Sequence, residues 1–371
     1  MFVPIANEPR DYAWGSTTLL SEYLGRTASG GAEAELWLGA HPGCPAVVTA
    51  GAHAGTALGP ALEALGARQP AMLLKVLAAA EPLSLQAHPD AARAREGFDR
   101  EDAAGIPRDA PHRNYRDPHP KPEIIVAVTP FEALSGFRPE AQAREVVEAL
   151  AAADGRVAPL LEHLAAGDAL AWLLSGDAEV APVVAGAVAA GDALTGTHPV
   201  EADTIARLSA AHPGDPGILV AMLLNRVSLA PGEALFLPAG NLHAYLSGLG
   251  IELMGPSDNV LRGGLTPKHV DVAELLAVVD PTPLDDPRLP AEPLEGGTAY
   301  RPAAPFELRR ITGAHVVEGG RGLLLAVSGG TATVDGETRA LAPADAAWID
   351  AAAPFEIDAA EAWLALELDT P

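Results

Sequence analysis

The chain has 371 residues, 49% hydrophobic and 20% charged, the balance of a globular protein long enough for two or three domains. Lysine and arginine total 24 against 49 aspartate and glutamate, giving a net charge of −25 and a pI near 4.7. That balance argues against nucleic acid and anionic membrane as partners.

The N-terminal run MFVPIANEPRDYAWGS has no basic start followed by an apolar stretch, so no secretory signal is expected. Residues 1–138 read as β-rich, with AELWLGAHPGCPAVV and AMLLKVL as strands bounded by glycine and proline and a helix between them from about Leu58 to Gly66. Cys44, in the first of these runs, is the only cysteine; an intrachain disulfide is impossible and a reducing compartment is expected. In EPLSLQAHPD, Gln86 and His88 stand two apart on an extended run, so both face one side. The polar segment Arg93 to Arg116, with Pro107 and Pro111, predicts a surface loop or short helices. Glu123 opens the apolar strand Ile124 to Val128.

From Pro139 to about Asn225 alanine dominates. EAQAREVVEALAAA, APLLEHLAA and EADTIARLSAAH carry apolar residues three and four apart, which predicts a helical insert. His163 and His198 are isolated there and receive no chemical role. The nearly uncharged stretch around Val180 to Gly191 is too short to span a bilayer. The expectation is a soluble, cytoplasmic protein, monomeric or homodimeric.

Strand texture returns with RVSLAPGEALFLPAG. Gly232, Pro238, Gly240 and His243 mark a tight turn between two strands, with the imidazole held on the second. GLGIELMG lacks the strand–loop–helix context of a nucleotide site. A Pro-rich stretch from about Pro281 to Pro305 predicts a linker. Beyond it, short β runs separated by GG and DG turns predict a second barrel, expected to be metal-free because the last histidine in the chain is His315. The domains are thus expected at 1–138 plus 226–280, at 139–225 and at 281–371.

Gln86, His88, Glu123 and His243 together offer imidazole nitrogens, a carboxylate and an amide oxygen. That set suits zinc with an open position for water or substrate, glutamine being its least usual member. Lys75, Lys121, Arg262 and Lys268 lie in or beside the same segments. Cations gathered near one site in so acidic a chain point to an anionic ligand.

The G-x5-P-x-G-x2-H spacing ending at His243 resembles the second metal-binding motif of cupin barrels. More specifically, YAWGS at Tyr12–Ser16, AELWLGAHP at Ala34–Pro42, LLKVLAAAEPLSLQAHPD at Leu73–Asp90, KPE at Lys121–Glu123 and PAGNLHAYLSGLGIELMGPSDNVLRGGLTPK at Pro238–Lys268 resemble, in order, the type I mannose-6-phosphate isomerases (phosphomannose isomerases). The resemblance implies a mainly β fold of two cupin-type jelly-roll barrels with a helical domain inserted. It implies interconversion of mannose 6-phosphate and fructose 6-phosphate through an enediol. It implies one zinc ion per chain on Gln86, His88, Glu123 and His243, a catalytic Arg262, a phosphate contact at Lys268 with Ser84 beside it, and further active-site positions at Trp14, Lys121, Tyr245, Glu252 and Asp258. Between Lys121 and Glu252 as the general base the sequence does not choose. Where the family commonly reads Asn-His-Lys-Pro-Glu, this chain reads His119-Pro120-Lys121-Pro122-Glu123. A proton-transfer role for a histidine at position 120 is therefore impossible here, and Gly255-Pro256 departs from the usual small pair. The alternatives are another metal-dependent cupin enzyme of oxygenase type, or a non-catalytic cupin that binds phosphosugars.

Overall fold

The computed structural model describes residues 1–368. It is mostly antiparallel β, in sheets of ten, eight and four strands, with the helices gathered mainly between residues 140 and 223. Among the described residues no helix is long and apolar enough to cross a membrane.

The ten-stranded sheet is organised around one long strand, His243–Met254. Its second half pairs with Leu73–Ala79 on one side and Glu123–Ala127 on the other; its first half pairs with Phe131–Phe137 and with Gln86–Ala87. The register shifts between Tyr245 and Ser247, and Gly248 follows with φ +117°. A Cβ at Gly248 would lie 2.6 Å from the Pro130 carbonyl oxygen, so glycine is what lets the strand turn the barrel corner there. Both halves then send side chains into one interior.

Every residue of Leu73–Ala79 is buried, because the strand is covered on both faces. Leu77 and Ala79 pack inside the barrel with Ile125, Phe131, Leu235 and Tyr245. Leu74 and Val76 face outward, onto Trp348, Trp363 and Phe306 of the eight-stranded sheet. Phe2–Ala6, from the start of the chain, pairs with Ala346–Ala351 and so joins the C-terminal sheet.

Two segments differ from their sequence expectation. The stretch expected as a loop or short helices opens with a 13-residue helix, Ala91–Ala103. Asp90 caps it by accepting from the Arg93 amide at 2.7 Å. The helix packs through small residues: a Cβ at Gly97 would lie 2.4 Å from the Tyr115 ring, and the buried Glu101 accepts from the Tyr115 amide at 2.9 Å. With so few large apolar residues on its buried face, periodicity did not reveal it. The Pro-rich stretch 281–305 is not a bare linker but carries the strands Arg288–Leu289, Ala291–Leu294 and Gly297–Tyr300. Pro293 is tolerated because Ala291–Leu294 is the edge of its sheet, where a missing N–H breaks no ladder bond.

Candidate active site and metal centre

Strand pairing brings the site together. Gln86 stands directly opposite His243 on one side and Arg262 on the other. Residues opposite each other in antiparallel strands share a face about 5 Å apart, so the three side chains form a row. His88 follows two residues after Gln86, and Glu123 comes from the strand on the far side of His243–Met254.

His88, Glu123 and His243 are buried, and their ligating atoms all lie within 4.8 Å of one another. Both imidazole Nε2 atoms lie 3.3 Å from the same oxygen, Oε2 of Glu123. The other ring nitrogens are tied back to backbone carbonyls: His88 Nδ1 to Asn259 O at 2.7 Å and His243 Nδ1 to Asn241 O at 3.0 Å. A carbonyl accepts only, so each Nδ1 carries the proton and each Nε2 presents a lone pair. Burial holds the His88 imidazole down to about 4, so it is neutral near pH 7. Its Nε2 is buried without a hydrogen-bond partner among the described residues. Lone pairs of two imidazoles converging on a carboxylate oxygen repel one another unless a cation sits among them, and this donor set fits a divalent metal. Gln86 stands opposite His243 on the neighbouring strand; its carboxamide nitrogen donates to Ser84 Oγ at 3.3 Å, which leaves the amide oxygen available.

A second charged cluster adjoins the first. Lys121 Nζ lies 3.1 Å from Glu123 Oε1. Burial alone would raise the Glu123 carboxyl, but Lys121 and the histidines hold it well below the usual carboxylate range. Lys75 stands opposite Glu252 in register and pairs with it at 2.9 Å, with Glu35 at 3.6 Å. Burial would lower the Lys75 ammonium; the two carboxylates outweigh it and raise it. Burial raises the Glu252 carboxyl, against the pull of Lys75, and raises the Tyr245 phenol, which donates to Glu252 Oε1 at 2.9 Å.

These groups line a chamber of about 70 Å³ that includes Glu35, Lys75, Gln86, Lys121, Glu123 and Glu252. Glu35, Leu83 and Gln86 also border a larger cleft of about 770 Å³. Trp14, Ser84, Arg262 and Lys268 line that cleft. Among the described residues neither Arg262 nor Lys268 has an ion-pair partner. Burial and then the neighbouring Arg116 lower Arg262; burial, Arg262 and Arg116 lower Lys268. Such mutual repulsion in an acidic chain leaves room for a dianion.

The structure therefore brings together Gln86, Glu123, His243, Lys121, Tyr245 and Glu252 around the chamber, with His88 against Glu123 and His243 behind its wall, and Trp14, Ser84, Arg262 and Lys268 around the cleft. Asp258 borders neither; its carboxylate faces His41 Nε2 at 3.5 Å. The exposed His119 borders neither cavity. The two departures from the family pattern meet in space, since a Cβ at Gly255 would lie 3.0 Å from the Pro120 carbonyl oxygen. Glu35, which belongs to both cavities, was missed by sequence reasoning although ELW lay in a recognised block, as were the backbone tethers at Asn241 and Asn259.

Residues 2–140 match the model of the phosphomannose isomerase type I catalytic domain. Mannose-6-phosphate isomerase of Escherichia coli (strain K12) is 40% identical over 291 residues, covering 74% of each chain. The chain belongs to the mannose-6-phosphate isomerase family. The family's enzyme from Macaca fascicularis is 30% identical over 330 residues, 76% of this chain and 73% of its own. Among solved structures, a variant of phosphomannose isomerase from Salmonella typhimurium superposes with a TM-score of 0.88 at 32% identity over 99% of both chains. A zinc-bound holo mannose 6-phosphate isomerase superposes at 0.86 with 33% identity, again over 99% of both. With these relatives, the mainly β architecture with its helical insert is the cupin-type fold expected of this family.

Proposed function

We infer that the protein is an aldose–ketose isomerase that interconverts mannose 6-phosphate and fructose 6-phosphate, with one zinc ion held by Gln86, His88, Glu123 and His243. The observation that carries this reading is the joining of a buried two-imidazole, one-carboxylate chamber to a cleft whose unpaired cations suit a phosphate. Membership of the family and its zinc-bound relative support the same metal. An oxygenase-type cupin would have no use for Arg262 and Lys268 at the cleft, and a mere binding module no use for a buried acid–base cluster.

The reaction moves a proton between C1 and C2 and develops negative charge on O1 and O2. Zinc, when bound, would orient and polarise those oxygens. Lys268, with Ser84, holds the phosphate, and Trp14 walls the sugar. Arg262, one strand from Gln86 and permanently charged, stabilises the developing enediolate. Glu252 and Lys121 both border the chamber and are the proton-transfer candidates. Glu252, raised by burial, has the stronger claim as base, held in place by Lys75 and Tyr245. Asp258, which borders neither cavity and faces His41 at 3.5 Å, is given no contact with the substrate. Replacing Arg262 with alanine is expected to lower kcat by about 100-fold, close to 3 kcal/mol of barrier, with retained zinc and a retained melting temperature.

We also propose the three-unit division at 1–138 plus 226–280, 139–225 and 281–371, with Phe2–Ala6 lent to the C-terminal barrel. The substrate is a small molecule. A cytoplasmic location and a monomeric or homodimeric state accord with the acidic, single-cysteine composition. The test is a coupled assay of mannose 6-phosphate turnover before chelation, after chelation and after zinc add-back. Loss and recovery of turnover support the reading. Full turnover by zinc-free protein removes the metal from it, and no turnover by zinc-loaded protein sinks the isomerase assignment.

A further inference from the structure

Glu35, Leu83 and Gln86 are common to the chamber and the cleft. Strand pairing puts Glu35 there. The strand Glu35–Leu38 pairs on one side with Leu73–Ala79, whose Lys75 and Leu77 line the chamber. On its other side Glu35 bridges to Arg10, and the chain from Arg10 runs on to Tyr12 and Trp14 in the cleft. The residue thus stands at the boundary between the two cavities, with 6% of its surface accessible.

Its carboxylate is fixed at one oxygen and open at the other. Oε2 accepts from Trp37 Nε1 at 2.9 Å. Oε1 lies 3.6 Å from Lys75 Nζ, beyond hydrogen-bond reach, and has no donor among the described residues. Lys75 itself donates to Glu252 at 2.9 Å. A carboxylate accepts only, so an open oxygen at this boundary takes a donor from whatever fills the cavities. Leu83 offers no polar group, and the Gln86 amide oxygen belongs to the proposed metal set. Glu35 is therefore the acceptor at the boundary.

A chamber of about 70 Å³ takes only the reacting end of a six-carbon phosphosugar. With the phosphate beside Arg262 and Lys268 in the cleft, the carbons from C3 to C5 must cross the boundary. Those carbons carry hydroxyl groups, which donate. A phosphate dianion at the same position would be repelled by the carboxylate. We propose that Glu35 is a specificity-determining residue whose Oε1 accepts a hydrogen bond from one of the C3, C4 or C5 hydroxyls of the substrate. This rests on the phosphosugar isomerase reading and deepens it: the site selects the polyhydroxy chain as well as the phosphate, and like-charge repulsion at the boundary sets which end enters the chamber. No proton transfer passes through Glu35.

The test compares the zinc-loaded wild type with Glu35→Ala and with Glu35→Gln, which keeps the volume and an acceptor for Trp37 Nε1. Each is titrated calorimetrically with mannitol 6-phosphate and with its 3-, 4- and 5-deoxy forms, which needs no turnover. In the wild type one deoxy form is expected to bind about tenfold more weakly than the parent, the scale of a hydrogen bond to a charged acceptor. In Glu35→Ala the parent binds about tenfold more weakly than to the wild type, and the same deoxy form binds no worse than the parent. Glu35→Gln falls between, and kcat/KM for mannose 6-phosphate falls in parallel with the binding of the parent. A residue that merely braces Lys75 and Trp37 would weaken all four ligands alike and leave the deoxy penalty in place. That result overturns the proposal, as does a wild type that binds all the deoxy forms as tightly as the parent or binds none of the four. If the wild type binds mannitol 6-phosphate but does not isomerise mannose 6-phosphate, the functional reading fails while the deoxy comparison still decides the role of Glu35.

Discussion

Exchanging Glu123 for glutamine is expected to strip the protein of zinc and to lower turnover by roughly 1000-fold or more. The substitution keeps shape and volume and removes one negative charge, so packing is not the variable. That charge is the only one among the four proposed ligands, and it faces both His88 and His243 at 3.3 Å and Lys121 at 3.1 Å. Without it, a divalent ion would sit among neutral donors beside a buried ammonium. An imidazole, neutral or protonated, cannot supply the lost negative charge, so neither His88 nor His243 compensates. Elemental analysis after dialysis should fall from near one zinc per chain to near zero, with far less change in the melting profile of metal-free protein. Stoichiometric zinc together with wild-type turnover would remove Glu123 from the metal centre.

The site was legible wherever local rules governed it. Gln86 and His88 share a face by strand alternation, and the turn ahead of His243 is written in Pro238 and Gly240. What strand pairing alone decides was not legible. Nothing near Glu252 in sequence says that it stands across from Lys75, 177 positions away, or that Tyr245 donates to it over a bulge. Glu35 reaches the chamber only because its strand pairs with Leu73–Ala79. The helix Ala91–Ala103 stayed hidden because glycine and alanine make its contact, and the strands within 281–305 because proline is permitted at a sheet edge. The side of the cleft lined by Ala210, Ala211 and His212, at the end of the helix Pro199–Ala211, depends on how the insert folds back over the barrel, which no periodicity reports.

Truncating Glu252 to alanine should lower the melting temperature by roughly 10 °C, the consequence of about 3–5 kcal/mol lost when one partner of a buried ion pair is removed. Lys75 is 5% exposed and would keep only Glu35, at 3.6 Å, while the Tyr245 hydroxyl would lose its acceptor. Turnover should fall as well, but a destabilised protein cannot say why. The double variant Lys75→Met with Glu252→Leu separates the causes. Replacing both ions by apolar groups of similar size removes the stranded ammonium, and such exchanges are often neutral or stabilising, but the buried Glu35 then loses its Lys75 partner and the Tyr245 hydroxyl still lacks its acceptor. Glu35 retains the Trp37 indole N–H at 2.9 Å. Thermal stability should therefore return part of the way toward wild type, while isomerisation stays at least 100-fold down if the Glu252 carboxylate moves the proton between C1 and C2. Should the double variant recover turnover along with stability, Glu252 is a structural ion and the proton transfer belongs to Lys121, whose ammonium lies on the opposite side of Glu123 from the two imidazoles by virtue of bonding Oε1 rather than Oε2.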